Sequence, residues 1–190
     1  SPNARFTDAT TMRLAFHNAG GEATQIVSPP DEVAAPPHNL PTQLTSFVAR
    51  EAEVTAVQGL LLHGPARLVT LTGPGGIGKT RLALAIATRC LGHFRDGIFF
   101  VSLAPITDTM LVLPTIAQTL GLRETASATV RQSLHQHLQD KSLLLVLDNF
   151  EQVVSAAPQI SDLLAAAGSL KILVTSREAL QVRGEQEFLV

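Results

Sequence analysis

The octapeptide Gly73-Pro74-Gly75-Gly76-Ile77-Gly78-Lys79-Thr80 constrains this chain more than any other stretch. It fits G-x-x-x-x-G-K-[ST] at every fixed position. Its flanks suit that pattern: the apolar run Leu68-Val69-Thr70-Leu71 precedes it and a helical pattern follows. Glycines let a backbone wrap a polyphosphate with its N–H groups turned inward, and the helix behind adds the partial positive charge of its N-terminus. The expected site therefore binds a nucleotide through Gly73, Gly75, Gly76, Ile77, Gly78, Lys79, Thr80 and Arg81. Lys79 would reach the β- and γ-phosphates, and the Thr80 hydroxyl would ligate Mg2+. The bland alternative is a glycine-rich strand-to-helix turn that binds nothing. Correct flanks on both sides weigh against it.

A chain of 190 residues accommodates one α/β nucleotide-binding domain and a tail, but not two full domains. Hydrophobic residues make up 45% and charged residues 16%, the balance of a globular core rather than a disordered chain. A net charge of −2 supplies no global field toward nucleic acid or membrane, so direct nucleic-acid binding by this segment is not expected. Cys90, the one cysteine, cannot form an internal disulfide, and it falls on the apolar stripe of the helix behind the loop as a buried thiol. No apolar run approaches the length of a membrane span, and no secretory signal opens the chain. A cytoplasmic location, where ATP is available, is expected. The start at Ser1 and the abrupt stop of Phe188-Leu189-Val190 read as a piece of a longer protein.

Residues 1–38 carry no sustained period and contain proline-rich linker text, Ser28-Pro29-Pro30-Asp31 and Ala34-Ala35-Pro36-Pro37. The folded core is expected over 39–190. Within it, 50–62 reads as an amphipathic helix, 67–72 as a strand covered on both faces, 78–91 as a helix and 97–101 as a strand. A helix within 108–120 places Pro114 in its first turn. A further helix, capped by Ser127, buries Val130, Leu134 and Leu138. Then come a strand over 143–147, a helix over 153–167 closed by Gly168, a strand over 170–174 and the start of a fifth over 187–190. Strands alternating with helices predict an α/β fold with a mainly parallel sheet sandwiched by helices.

A phosphate loop needs something to hold the metal. Leu143-Leu144-Leu145-Val146-Leu147-Asp148 is an apolar strand ending in an acid, the Walker B form. Asp148 would emerge at the strand's carboxyl end, where ligands sit in open α/β sheets, and hold Mg2+ beside Thr80. Many buried strands end in Asp because the turn wants it, so placement after the loop is what favours the metal role. Asn149 stands where many ATPases place a second acid; it can orient a water but cannot accept its proton. Glu151 could serve instead, or be a solvated charge at a helix start. Slow hydrolysis follows, with Lys79, Asp148, Asn149 and Arg177 as the catalytic set. For Thr175-Ser176-Arg177-Glu178 two readings fit equally. Thr175 and Glu178 have capping-box spacing and would start a short helix, or Arg177 reads the γ-phosphate. His135 and His137 point about 200° apart on a helix and cannot share a metal.

Several motifs coincide with one family. The segment Asn39-Leu40-Pro41-Thr42-Gln43-Leu44-Thr45-Ser46-Phe47-Val48-Ala49-Arg50-Glu51 resembles the lead-in of bacterial NB-ARC-like STAND ATPases, which occur in LuxR-type, SARP-type and adenylate-cyclase-fused regulators. The loop, Asp148-Asn149-Phe150-Glu151-Gln152 and 172–178 extend the likeness. The resemblance implies a P-loop NTPase fold that stops before its helical and winged-helix portions. It implies ATP/ADP and Mg2+ as ligands, with Val48, Arg50 and Glu51 near adenine and ribose and Arg177 as the γ-phosphate sensor. Asn after the Walker B acid is common in this family. Ala49 replaces the usual glycine, which matters if that backbone needs φ > 0. Implied partners are the protein's own downstream domains and, through nucleotide-dependent self-association, other copies. Four functions compete: a regulatory switch, a turnover ATPase of the AAA+ kind in DNA or protein remodelling, a small-molecule kinase, and a scaffold with structural ADP. Asn149 argues against fast turnover, and no Arg-rich lid segment supports a kinase.

Overall fold

The computed structural model describes residues 35–42, 50–122 and 129–190. Helix α1 (Glu51–Leu62) leads into strand β1 (Leu68–Thr72), and α2 (Lys79–Arg89) follows the glycine loop. Strand β2 (Ile98–Ser102) precedes a 3-10 turn (Thr109–Leu111), α3 (Val112–Thr119) and α4 (Val130–Leu138). Strand β3 (Leu143–Asp148) is followed by two 3-10 turns (Phe150–Gln152 and Val154–Ala156), α5 (Ala157–Ala166), β4 (Leu170–Thr175) and β5 (Glu185–Leu189). The five strands pair in the order β2-β3-β4-β1-β5, and every pairing is parallel.

Parallel strands need crossovers, and the crossover helices cover both faces of the sheet. That is why β1 and β3 are buried at every residue. Side chains alternate between faces. Val69, Leu71, Leu144, Val146 and Leu173 pack with α1 and α2, whereas Leu143, Leu145, Leu147, Ile172 and Val174 pack with α3, α4 and α5. At the β2 edge, Ile98 N–H donates to the Pro37 carbonyl (3.1 Å), and the Asn39 amide makes two bonds to the Phe100 backbone (2.9 and 2.6 Å). A Cβ on Gly97 would collide with the Pro37 carbonyl, so glycine lets this chain segment lie against the edge.

The predicted elements all form, with local corrections. Thr129 caps α4 with a full capping box to Gln132; Ser127 lies outside the described residues. The expected helix over 153–167 is α-helical only from Ala157, because the chain first makes 3-10 turns that bury Phe150 and Ala156. Gly168 does not close it in the left-handed region: the helix ends at an extended Ala167. No helix starts at Thr175-Ser176-Arg177-Glu178, because Thr175 is still the last residue of β4 and its hydroxyl is spent on another partner.

Candidate functional site

The carboxyl ends of β1, β3 and β4 meet at one edge of the sheet, since Leu71 pairs with Thr175 and Leu147 with Val174. From β1 the chain turns through Gly73 (φ 144°), Gly76 (φ 82°) and Gly78 (φ 93°), values that glycine alone adopts cheaply. Around Gly73 space is closed: a Cβ would press on Ile77 Cδ1 at 2.6 Å. Around Gly76 and Gly78 a Cβ would meet nothing within 4 Å. The loop is thus an open cradle lined by backbone. Gly78 is also the N-cap of α2 and offers no side-chain acceptor, so this helix start carries no side-chain cap where an anion would sit.

Lys79 is 8% exposed, and its Nζ donates to the carbonyls of Gly73 (2.7 Å) and Pro74 (2.9 Å). An ammonium has three donors, so two fix the side chain across the loop and one remains for a ligand. The Thr80 hydroxyl donates to Asp148 Oδ1 at 2.8 Å, and the Thr175 hydroxyl donates to the same oxygen at 2.6 Å. Thr175 also accepts from the Asn149 backbone N–H at 3.0 Å. Asp148 is 4% exposed; a carboxylate at that depth requires such donors. Asn149 sits in the left-handed region (φ 61°), which Asn tolerates better than most residues, and this turns the chain away immediately after the strand.

Arg177 stands at the mouth of the loop. Its Nη2 lies 3.8 Å from where a Gly75 Cβ would be, and its Nε faces Glu151 Oε1 at 3.5 Å. Arg50 caps the start of α1; its Nε is 4.0 Å from Glu53, and its Nη1 is buried without a hydrogen-bond partner. Glu51 pairs with Arg89 of α2. Arg81 follows Thr80 in the first turn of α2. Val48 and Ala49 lie outside the described residues.

The residues fit a polyphosphate with a divalent cation. The open cradle, the helix start without a side-chain cap, the third Lys79 donor and the orphaned Arg50 Nη1 together suit a polyanion. Thr80 and Asp148 present two hard oxygens side by side, and these would hold Mg2+ if the ion is bound with the phosphates. Two contacts escape sequence reasoning: the second donor bond to Asp148, from Thr175, and the pairing of Glu151 with Arg177. Finding Thr175 requires the β3–β4 register, which spacing along one chain does not carry.

The sequence profile of the NB-ARC domain matches residues 50–185. The chain belongs to the NB-ARC domain family. That family implies nucleotide binding. Relatives of this NB-ARC domain include "Putative HTH-type transcriptional regulator Rv0890c" of Mycobacterium tuberculosis, 44% identical over 63% of this chain and 13% of the relative. An uncharacterized M. tuberculosis protein is 40% identical over 78% of this chain and 37% of its own length. The regulatory protein AfsR of Streptomyces griseus is 31% identical over 80% and 17%, respectively. The chain spans far less than two thirds of each. Among solved structures, Drosophila ORC bound to DNA aligns with 76% of this chain and 42% of its own at TM-score 0.55 and 18% identity. Cdc6p from Pyrobaculum aerophilum aligns over 79% and 47% at TM-score 0.50 and 15% identity. Likeness at these identities concerns the fold alone, and it is that of P-loop NTPases. Among the described residues no helix is long and apolar enough to cross a membrane.

Proposed function

We propose that this NB-ARC domain is an ATP/ADP-binding switch with slow, Mg2+-dependent ATP hydrolysis, working inside a larger regulator of transcription. One observation carries the reading. Thr80 and Asp148, 68 residues apart, bring hydroxyl and carboxylate within 2.8 Å at the mouth of an open glycine cradle. A turn that bound nothing would have no use for a desolvated carboxylate delivered to a buried lysine's loop.

In this reading the backbone from Gly73 to Gly78, with Thr80 and Arg81, holds the phosphates, and Lys79 spans the β- and γ-positions. Val48 and Arg50 face the adenine end. Thr80 and Asp148 hold Mg2+, which neutralises charge that develops on the phosphates. Arg177 distinguishes three phosphates from two. Asn149 orients a water without being able to take its proton, so turnover is slow and the ATP state persists, as a switch needs. Residues 39–190 form the switch core and 1–38 a linker or the end of an upstream segment, in a cytoplasmic protein. Downstream helical and winged-helix domains, and nucleotide-dependent self-association, convert its state into output. The regulator names of its relatives support that setting.

The test is the nucleotide that co-purifies with the protein, identified by chromatography, together with titration calorimetry. We expect bound ADP, and a loss of ADP affinity of at least about tenfold in Lys79→Ala, because a charge-assisted contact is removed. Unchanged ADP affinity in a Lys79→Ala protein with intact circular dichroism refutes the assignment.

A further inference from the structure

Beyond its pairing with Arg177, Glu151 has no role in the site derived so far, yet its surroundings are unusual. It sits in the 3-10 turn that follows β3, between the fully buried Phe150 and the backbone bond from Val153 N–H to the Phe150 carbonyl. Its side chain is 14% exposed, and Oε2 is buried with no hydrogen-bond partner. Oε1 faces Arg177 Nε at 3.5 Å. Arg177 is 68% exposed and lies on the irregular stretch after β4, outside any helix or strand. One partner is therefore fixed and the other is free to swing.

A carboxylate so placed could act in two ways. As a base, it would keep an oxygen aimed at a water on the γ-phosphate. As a post, it would orient the guanidinium. The geometry favours the second. A guanidinium has separate Nε and Nη donors in a rigid plane, and here different nitrogens face different ways. Nε meets Glu151, while Nη2 points over Gly75 at the mouth of the cradle. Holding Arg177 by Nε leaves its outer edge directed at the place a third phosphate would occupy, so the two contacts do not compete.

We propose that Glu151 is a positioning residue that pre-orients Arg177 toward the γ-phosphate and so sets how strongly the domain prefers ATP over ADP. This rests on the switch reading above. The pair is half open to water, so its grip is modest. It narrows the rotamers of a long side chain before the ligand arrives, and that entropy is then not lost on binding. The expected effect is a change of about threefold to tenfold in the ATP/ADP affinity ratio, the size associated with an exposed ion pair and one ordered side chain.

Titration calorimetry with ADP and a non-hydrolysable ATP analogue, each with Mg2+, tests this on wild type, Glu151→Ala, Glu151→Gln, Arg177→Ala and the Glu151→Ala/Arg177→Ala double variant. Glu151→Ala should lower the ratio by about threefold to tenfold while leaving ADP affinity unchanged. Glu151→Gln, which keeps an oxygen facing Nε without the charge, should recover part of it. In the Arg177→Ala background Glu151→Ala should change nothing. An unchanged ratio in Glu151→Ala overturns the proposal. So does an equal fall of the ratio on adding Glu151→Ala to Arg177→Ala, which would show that Glu151 acts without Arg177. Failure of the underlying reading looks different: the wild-type protein would then bind neither nucleotide. The Nε–H resonance of Arg177 in the nucleotide-free protein should still move in Glu151→Ala, and a resonance that does not move overturns the pairing itself.

Discussion

Replacing Thr175 with Val tests the centre of the site without touching the loop. Valine keeps the shape of threonine and removes one hydroxyl. That hydroxyl donates to Asp148 Oδ1 at 2.6 Å and accepts from the Asn149 N–H at 3.0 Å. Both Thr175 and Asp148 are buried, so water does not easily replace the lost donor. Hydrogen bonds to a charged group contribute about 1.5–3 kcal/mol, and the Asn149 N–H, being half-buried, adds a smaller share. We expect a loss of ~2–3 kcal/mol in urea unfolding, and a fall in Tm of roughly 4–10 °C at this chain length. Thr175→Ser is the control. It keeps both hydrogen bonds and loses one buried methyl, for about 1 kcal/mol. The bonds to Asp148 should also fix where the carboxylate meets the metal, so Thr175→Val should weaken Mg2+-dependent nucleotide binding while Thr175→Ser does not. If Thr175→Val is as stable as the wild type, the Asp148–Thr175 bond contributes nothing, and the account of how β4 holds the metal carboxylate fails.

Other expectations concern single parts. Asp148→Asn should reduce ADP affinity measured with Mg2+ and spare it in EDTA; equal losses in both buffers would remove Asp148 from the metal site. Gly78→Ala should cost ~1–2 kcal/mol in unfolding free energy through its positive φ alone, since a methyl there meets no neighbour, yet abolish nucleotide binding by filling the cradle. Normal binding by a folded Gly78→Ala protein would show that the open space is not where phosphate sits. Cys90 is buried, and desolvation raises its thiol from 9.0 to about 11. The unfolded chain therefore gives up this proton first, so the stabilising contribution is present below pH 9 and is lost as pH rises through about 11. Stability measured between those values should fall less steeply in Cys90→Ala; parallel curves would count against the buried thiol as the cause.

Much of this fold is legible in apolar runs. Leu143 to Leu147 is too short for a buried helix and too apolar for an edge strand, and it does lie in the middle region of the sheet, covered on both faces. Misreadings arise where a local pattern loses to a distant partner. Thr175 and Glu178 have the spacing of a capping box, but a capping hydroxyl gains one ordinary hydrogen bond to a backbone N–H. At Thr175 the hydroxyl instead satisfies a buried carboxylate, a stronger and more costly need. The chain beyond then takes its shape from Glu185, whose carboxylate accepts from the N–H groups of Leu180 and Gln181 at 2.8 Å each and holds Gln181 at positive φ. Likewise Val153 does not begin a helix, because Phe150 and Ala156 must first be buried by tighter turns.

The site divides along the same line. Its covalently continuous part, the loop from Gly73 to Thr80, is readable from spacing, because each backbone donor is placed by its neighbours. Its assembled part is set by strand order. Parallel pairing of β1 with β4 and of β4 with β3 brings Thr80, Thr175 and Asp148 to one oxygen atom. That arrangement has a mechanical consequence. In the proposed function, when Thr80 turns its hydroxyl to a metal, Asp148 keeps Thr175 as its side-chain donor among the described residues, and Thr175 is two residues from Arg177. Metal binding at the loop and phosphate sensing at Arg177 would then be joined by one short, buried hydrogen bond. A change at the nucleotide's magnesium end would reach the end of β4 through that bond.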